Sequence, residues 1–227
     1  MELAPGTRVE RYEVVERLGV GGMAVVYRVR HTSLGTEHAL KVLSHTGASI
    51  RQRLLQEGRL QARLRHPNLL PVTDVLDVEG SPGLLLDFVR GPSLEGWLEL
   101  NRPSLEQALD LFEQVLAGVE FAHQADVVHR DLKPANVLID LGGDRPVARV
   151  ADFGLAKALG GEPGLGQTRT GVAMGTPSYM APEQIRDAKG VDRRGDVFSL
   201  GAILYELLLG RMAFGRRDML EIFNAVA

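Results

Sequence analysis

Three glycines in Leu18-Gly-Val-Gly-Gly-Met-Ala-Val-Val-Tyr27 lie between two stretches that read as strands. Missing side chains at such a tip let backbone amides approach a triphosphate, although a tight hairpin turn would use the same glycines. A second chemical feature is an acid that needs a cation. Glu57 falls in the middle of an apolar helical face made by Ile50, Leu54, Leu60 and Leu64, with Gln61 beside it. A carboxylate turned toward an apolar core costs roughly several kcal/mol unless a cation or hydrogen-bond donors meet it. Lys41 is the obvious cation, and strand alternation puts it on the same face as Ala39. The alternatives are a helix rolled so that Glu57 reaches solvent, and a strand lysine that is simply exposed.

These residues need a scaffold, and the pattern around them supplies one. Tyr12–Leu18, Val25–His31 and Glu37–Leu43 are rich in Val, Tyr and Leu and are separated by Gly-containing turns, which predicts an antiparallel meander. Periodicity predicts a helix over 49–65 and a strand over 83–89, followed by the turn Arg90-Gly-Pro92. The composition then turns helical. We expect an α+β fold with a β-rich lobe over residues 1–90 carrying one helix, and a mainly helical lobe over 91–227. Ser104-Leu-Glu-Gln107 has capping-box spacing and opens a predicted helix with Ala108, Phe112, Val115, Leu116 and Val119 on one side. Val137–Ile139 and Val147–Ala151 read as a small hairpin. Residues 160–171, which include Thr168 and Thr170, are Gly-, Glu- and Thr-rich without period, the signature of a loop. Helix resumes near Asp196, with Asp196 itself a possible N-cap, and residues 197–209 are apolar almost all round, as in a helix buried on every side.

Composition narrows the classes. At 227 residues, with 44% hydrophobic and 24% charged content, the chain can form one large domain or two small lobes around a cleft. A formal charge of −3 gives no overall basic field to attract nucleic acid or an anionic membrane. With no cysteine there is no disulfide framework, thiolate nucleophile or Cys-based zinc site, which fits a reducing cytoplasm. The N-terminus lacks the apolar core of a signal peptide, and Glu206 interrupts the longest apolar run, so no membrane-spanning segment is expected.

His129-Arg-Asp-Leu-Lys-Pro-Ala-Asn136 fits the pattern H-R-D-L-x-x-x-N at every fixed position. Asp152-Phe-Gly154 follows across the predicted hairpin, and Gly175-Thr-Pro-Ser-Tyr-Met-Ala-Pro-Glu183 ends in A-P-E. In this order, with the glycine tip and Ala39-Leu40-Lys41, residues 10–215 resemble the catalytic domain of a serine/threonine protein kinase, most closely the eukaryotic-like kinases of bacteria. The resemblance implies a bilobal fold and transfer of the γ-phosphate of ATP, with Mg²⁺ or Mn²⁺, to protein Ser or Thr hydroxyls. It implies that Asp131 accepts the hydroxyl proton, Lys133 contacts the transferring phosphate, Lys41 holds the α- and β-phosphates, Glu57 holds Lys41, and Asn136 and Asp152 bind the metal. His129 would be a packing residue rather than a base, Phe153 would pack beneath the helix bearing Glu57, and Asp196 would bond catalytic-loop amides.

For the nucleotide, the resemblance implies Leu18, Gly19, Val20, Gly21, Gly22, Met23, Ala24, Val25 and Val26 over the phosphates and ring. It adds Ala39, Leu86 as gatekeeper, Asp87 and Val89 at the hinge, and Leu138 on the ring's other side. Thr176 would shape the acceptor pocket. Thr168 and Thr170 are candidate autophosphorylation sites whose phosphate Arg130 would pair. Implied partners are protein substrates and a second copy of the chain. Ala24 and Gln61 depart from the pattern, standing where a glycine and an apolar residue are usual. The resemblance also implies further helices beyond residue 227, one bearing an arginine for Glu183, so that a fragment of a longer product, or a chain completed by a partner, is expected. A nucleotide-binding scaffold without catalysis is the rival reading.

Overall fold

A computed structural model describes residues 2–21, 24–43, 58, 61–153, 177–186, 191–215 and 219–226. They form two compact units, one of Met1–Arg65 and Leu70–Val89, the other of His66–Leu69 and Arg90–Ala227. The fold is α+β, as expected.

In the first unit, β1 (Arg8–Val9), β2 (Tyr12–Val20), β3 (Ala24–His31), β4 (Glu37–Leu43), β5 (Val72–Val78) and β6 (Ser81–Asp87) make an antiparallel sheet ordered β1-β2-β3-β4-β6-β5. Alternation sends Val14, Tyr27, Val29, Leu40, Val42, Leu76, Val78 and Leu85 into one core. Strand β5 was not anticipated, and β6 begins and ends two residues before the expected 83–89. The cause is a two-residue hairpin at Glu79-Gly80, both at positive φ (49° and 84°), so that pairing resumes at once from Ser81 to Val78. Of the expected helix over 49–65, only residues 58 and 61–65 are described, with Gly58 and Gln61 helical and buried.

The second unit contains α1 (Leu94–Leu100), α2 (Leu105–Gln124), the hairpin β7 (Val137–Asp140) and β8 (Val147–Val150), α3 (Pro182–Arg186), α4 (Arg193–Leu209) and α5 (Met219–Val226). Ser104 Oγ accepts from Gln107 N at 3.2 Å and Ser104 N donates to Gln107 Oε1 at 3.0 Å, the full capping box at the start of α2. The buried face of α2 includes the expected Ala108, Val115 and Val119 but departs from the expected one at its other two positions. Ala108, Leu111, Val115, Gly118, Val119 and Ala122 are buried, whereas Leu116 is exposed and Phe112 only half-buried. Backbone sets the closest approach here: a Cβ on Gly118 would lie 2.7 Å from Asn68 O, so the helix turns its glycine, not Leu116, to its neighbour. Asn68 is fixed there because its carbonyl accepts from Val150 N (2.9 Å) and its amide donates to Ala148 O (3.0 Å), which ties residues 66–69 to β8.

Helix α4 corrects two further expectations. Its N-cap is Asp192, whose Oδ1 accepts from Arg194 N at 2.9 Å, so Asp196 lies inside the helix. The helix is also not buried on every side. Gly195, Asp196, Ser199, Leu200, Ala202, Ile203 and Leu207 are buried, while Val197, Leu208 and Leu209 are exposed. Two polar side chains with internal partners occupy the inward face, so hydropathy along the chain does not separate the faces. Gly210, at φ 64°, ends the helix by donating to Glu206 O at 2.8 Å. Among the described residues no helix is long and apolar enough to cross a membrane.

Candidate active site

The chain leaves α2 at Gln124 and turns through residues 129–136 before entering β7. Pro134 opens a single 3₁₀ turn, Pro134–Asn136, in which Asn136 N reaches Lys133 O at 2.9 Å. This turn folds three polar side chains onto one point. Lys133 Nζ meets both oxygens of Asp131, at 2.9 Å (Oδ2) and 3.2 Å (Oδ1). Asn136 Nδ2 donates to Asp131 O at 2.7 Å and to Asp131 Oδ2 at 3.1 Å. With both amide N–H groups directed at acceptors, the side chain of Asn136 has one sensible orientation, which leaves Oδ1 as a hard oxygen for a cation.

Behind this cluster is a buried network. His129 is fully buried, its Nε2 donates to Ala151 O at 2.8 Å, and its Nδ1 accepts from Asp131 N at 3.2 Å. Both ring nitrogens are therefore spent within the fold, as a packing and bonding role requires, and Phe153 lies against the ring with centroids 4.5 Å apart. Asp196, 1% exposed, accepts from His129 N (2.8 Å), Arg130 N (2.9 Å) and His123 Nε2 (2.7 Å). Burial, the largest single influence, pushes its carboxyl up. The hydrogen bond from His123, the nearby His129 and the two backbone N–H groups outweigh it and hold the carboxyl below the usual range.

Arg130 (φ 68°) and Asp152 (φ 65°) are both left-handed, a backbone state that costs a non-glycine residue on the order of 1–3 kcal/mol. The two segments are joined by Ala151 N donating to Asn136 O at 2.8 Å, which brings Asp152 next in the chain to a residue bonded to Asn136. A carboxylate and an amide oxygen on adjoining segments are the donor types Mg²⁺ takes when substrate oxygens complete its shell. Arg130 Nε is buried with no hydrogen-bond partner among the described residues.

The stretch that precedes α3 is fastened to α4, and α3 itself to the loop at Arg130. Tyr179 donates through its hydroxyl to Glu206 Oε2 at 2.5 Å, and Tyr179 O accepts from Ser199 Oγ at 2.7 Å. Burial first, then Glu206, pushes the Tyr179 phenol far up. Burial also raises the Glu206 carboxyl, Tyr179 partly offsets this, and the nearby charge of Glu95 adds to it. Gln184 Oε1 accepts from Ala181 N at 2.9 Å while its Nε2 donates to Arg130 O at 2.7 Å. Sequence reasoning missed Gln184, His123, Ser199 and the Tyr179–Glu206 pair, whose partners are 20 or more residues away. Glu183 lies within electrostatic reach of Arg194, a guanidinium raised chiefly by Asp192.

In the first unit, the register sets Lys41 between Val26 and Leu84, and Ala39 between Arg28 and Leu86, on the sheet face opposite the core. Gly21 N donates to Ala24 O at 2.8 Å across the β2–β3 tip. Ala24 is extended at the start of β3, so the methyl that replaces the usual glycine meets no backbone strain. Gly19 and Val25 flank the tip, and Leu18 and Val20 are 46% and 66% exposed. Leu86 and Val89 are buried, and Asp87 is half-buried at the end of β6. In the second unit Leu138 of β7 pairs with Arg149 and bridges Ser93. Gly22, Met23, Glu57, Thr168, Thr170 and Thr176 lie outside the described residues.

Residues 12–226 match the family described as the protein kinase domain, and the chain belongs to that family. Members of this family use ATP with a divalent metal. The chain is 38% identical over 215 residues to the serine/threonine-protein kinase Pkn1 of Myxococcus xanthus, covering 92% of this chain and 30% of that protein. It is 41% identical over 236 residues to the DNA damage-responsive serine/threonine-protein kinase RqkA of Deinococcus radiodurans, covering 100% of this chain and 34% of that one. Against the probable serine/threonine-protein kinase PknB of Lactococcus lactis the figures are 36% over 211 residues, 90% and 32%. The chain thus spans about a third of the length of these curated relatives.

Proposed function

We propose that this chain catalyses transfer of the γ-phosphate of ATP to Ser or Thr hydroxyls of proteins. The observation that carries the reading is the Asp131 carboxylate held by Lys133 Nζ and Asn136 Nδ2 together. ATP with Mg²⁺ or Mn²⁺ supplies the phosphoryl group and much of the charge neutralisation when bound. Asp131 orients the acceptor hydroxyl and takes its proton at a carboxylate oxygen as the oxygen–phosphorus bond forms and ADP departs. Lys133 offsets negative charge beside it, and Asn136 and Asp152 would hold the metal. Lys41 would bind the α- and β-phosphates and be held by Glu57. The residues named above at the β2–β3 tip, Ala39, Leu86, Asp87, Val89 and Leu138 would receive the nucleotide.

The finer roles are part of the same reading. Thr176 would shape the acceptor pocket, and Thr168 or Thr170 would be phosphorylated by a second copy of the chain. Arg130, with a buried Nε lacking a partner among the described residues, is a ready donor for that phosphate. The reaction draws on ATP, which points to the cytoplasm. No observation favours the non-catalytic scaffold, since the groups of the Asp131 cluster are in place.

The test is incorporation of labelled γ-phosphate into the chain and a generic basic protein, beside Asp131→Asn. Removing the general base is expected to lower incorporation about 10²- to 10⁴-fold. A folded, ATP-binding wild-type chain that transfers no label would defeat the reading.

A further inference from the structure

We propose that Gln184 is a positioning residue for Asp131, acting through the strained peptide that joins Arg130 to Asp131. The peptide N–H of Arg130 is pinned by Asp196 Oδ1 at 2.9 Å, and its carbonyl is pinned from the other side by Gln184 Nε2 at 2.7 Å. Arg130 has φ 68°, a costly backbone state for a non-glycine residue, and it is held by these contacts on the two peptides that flank it, the Gln184 bond acting on the peptide to Asp131. Turning that carbonyl turns the N–H of Asp131, which otherwise rests on His129 Nδ1 at 3.2 Å, and with it the carboxylate.

The amide of Gln184 suits the task because it is two-sided. Its Oε1 accepts from Ala181 N at 2.9 Å, which orients the side chain and forces the NH₂ group toward Arg130 O. Gly195 packs beside it, where a Cβ would clash with Val191 Cγ1 at 2.8 Å and make ordinary contact with Gln184 Oε1 at 3.7 Å. A carboxylate in the same place would still accept from Ala181 but would face the Arg130 carbonyl with a lone pair. Gln184 thus links the backbone just before α3 to the backbone beside the catalytic carboxylate.

The inference rests on the phosphotransfer reading above, and its test separates the two. Gln184→Leu, of similar size without polar atoms, is expected to lower kcat about 10- to 100-fold, the scale of a misplaced catalytic group, with KM for ATP unchanged and a thermal transition still above the assay temperature. Gln184→Glu is expected to be impaired as well at pH 7 to 8, where a glutamate carboxyl of ordinary pKa is ionised and turns a lone pair toward Arg130 O. The readout is the variant-to-wild-type ratio of kcat beside that of KM for ATP. In parallel, amide hydrogen exchange over residues 128–133 is expected to quicken in Gln184→Leu. A Leu or Glu variant within twofold of wild-type kcat overturns the proposal. If the wild-type chain shows no turnover the phosphotransfer reading fails, and exchange alone then decides: unchanged protection at 128–133 overturns the role of Gln184, and faster exchange supports it.

Discussion

Replacing Asp196 tests the network behind the loop of residues 129–136 most directly. In Asp196→Ala the N–H groups of His129, Arg130 and His123 all lose their acceptor in a place that is 1% exposed. Leaving a buried donor unsatisfied costs about 1–3 kcal/mol, and breaking a buried charged cluster about 3–5 kcal/mol in total, because removing the carboxylate also removes its own desolvation. We expect about 3–5 kcal/mol at pH 7, a large share of a domain stability of about 5–15 kcal/mol. For a chain of this size that corresponds to a fall in Tm of about 6–20 °C. Asp196→Asn keeps one carbonyl acceptor but turns an NH₂ toward donors, so it should fall between wild type and Ala. The pH dependence has a definite sign. A carboxyl depressed in the folded state contributes stability above its unfolded value, near 3.9, that is lost as pH falls through the folded value. Urea unfolding at pH 7 and at steps down to pH 3 should therefore show the gap between wild type and Ala full at pH 7 and shrinking below about pH 4. A cost under about 1 kcal/mol at pH 7, with an unchanged m-value, would show that the three donors find water or other partners and that the network does not hold the loop.

Two further perturbations probe how the second unit is assembled. Gly118→Ala would ordinarily gain about 1 kcal/mol of helix propensity, but its Cβ would meet Asn68 O at 2.7 Å, and that carbonyl is held by Val150 N. The clash should win by about 1–3 kcal/mol in urea unfolding, and a stabilised variant would mean that residues 66–69 yield freely. Glu206→Gln leaves an acceptor for the Tyr179 hydroxyl and removes a carboxylate that burial makes costly to ionise. Because the folded carboxyl is raised, its favourable contribution is present below the unfolded value and lost as pH rises through the folded one. The variant should thus melt above wild type at pH 7, with the two converging toward pH 4; a lower melting temperature at pH 7 counts against the assignment.

The parts of the fold that were legible in the sequence are those with local causes. Strands β2, β3 and β4 and the capping box at Ser104 are written in alternation and in residues three apart, and the structure holds them within two residues of the expected bounds. Strand β5 escaped because a register shift between Val72 and Asp74 breaks the two-residue period that would have marked it. Part of the α2 face, at Leu116, and the all-round burial expected of α4 failed for a different reason. A glycine stands at the closest approach of one, and internally satisfied Asp196 and Ser199 lie on the inward face of the other, so hydropathy alone does not draw either face completely. In the site, the cluster of Asp131, Lys133 and Asn136 sits within six residues and was readable, whereas Gln184 reaches Arg130 across 54 and leaves no periodic trace.

That division explains why the site contains both its most recognisable and its least readable residues. Two of the left-handed non-glycine residues, Arg130 and Asp152, sit next to or at the two carboxylates proposed to do the chemistry. Such backbone persists only where its surroundings over-determine it. Asp196 and Gln184 hold Arg130 from opposite sides, and His129 accepts from Asp131 N while donating to Ala151 O, immediately before Asp152. One buried imidazole therefore links the backbone of both carboxylates, which lie 21 residues apart in the chain. A motif supplies the groups proposed to touch phosphate and hydroxyl, but the backbone that carries them is held by side chains on α2, α3 and α4 whose own types would pass for ordinary surface glutamine or buried polar residues. Substitutions at these supports should therefore alter turnover more than affinity, since the reacting groups would all remain present and only their aim would change.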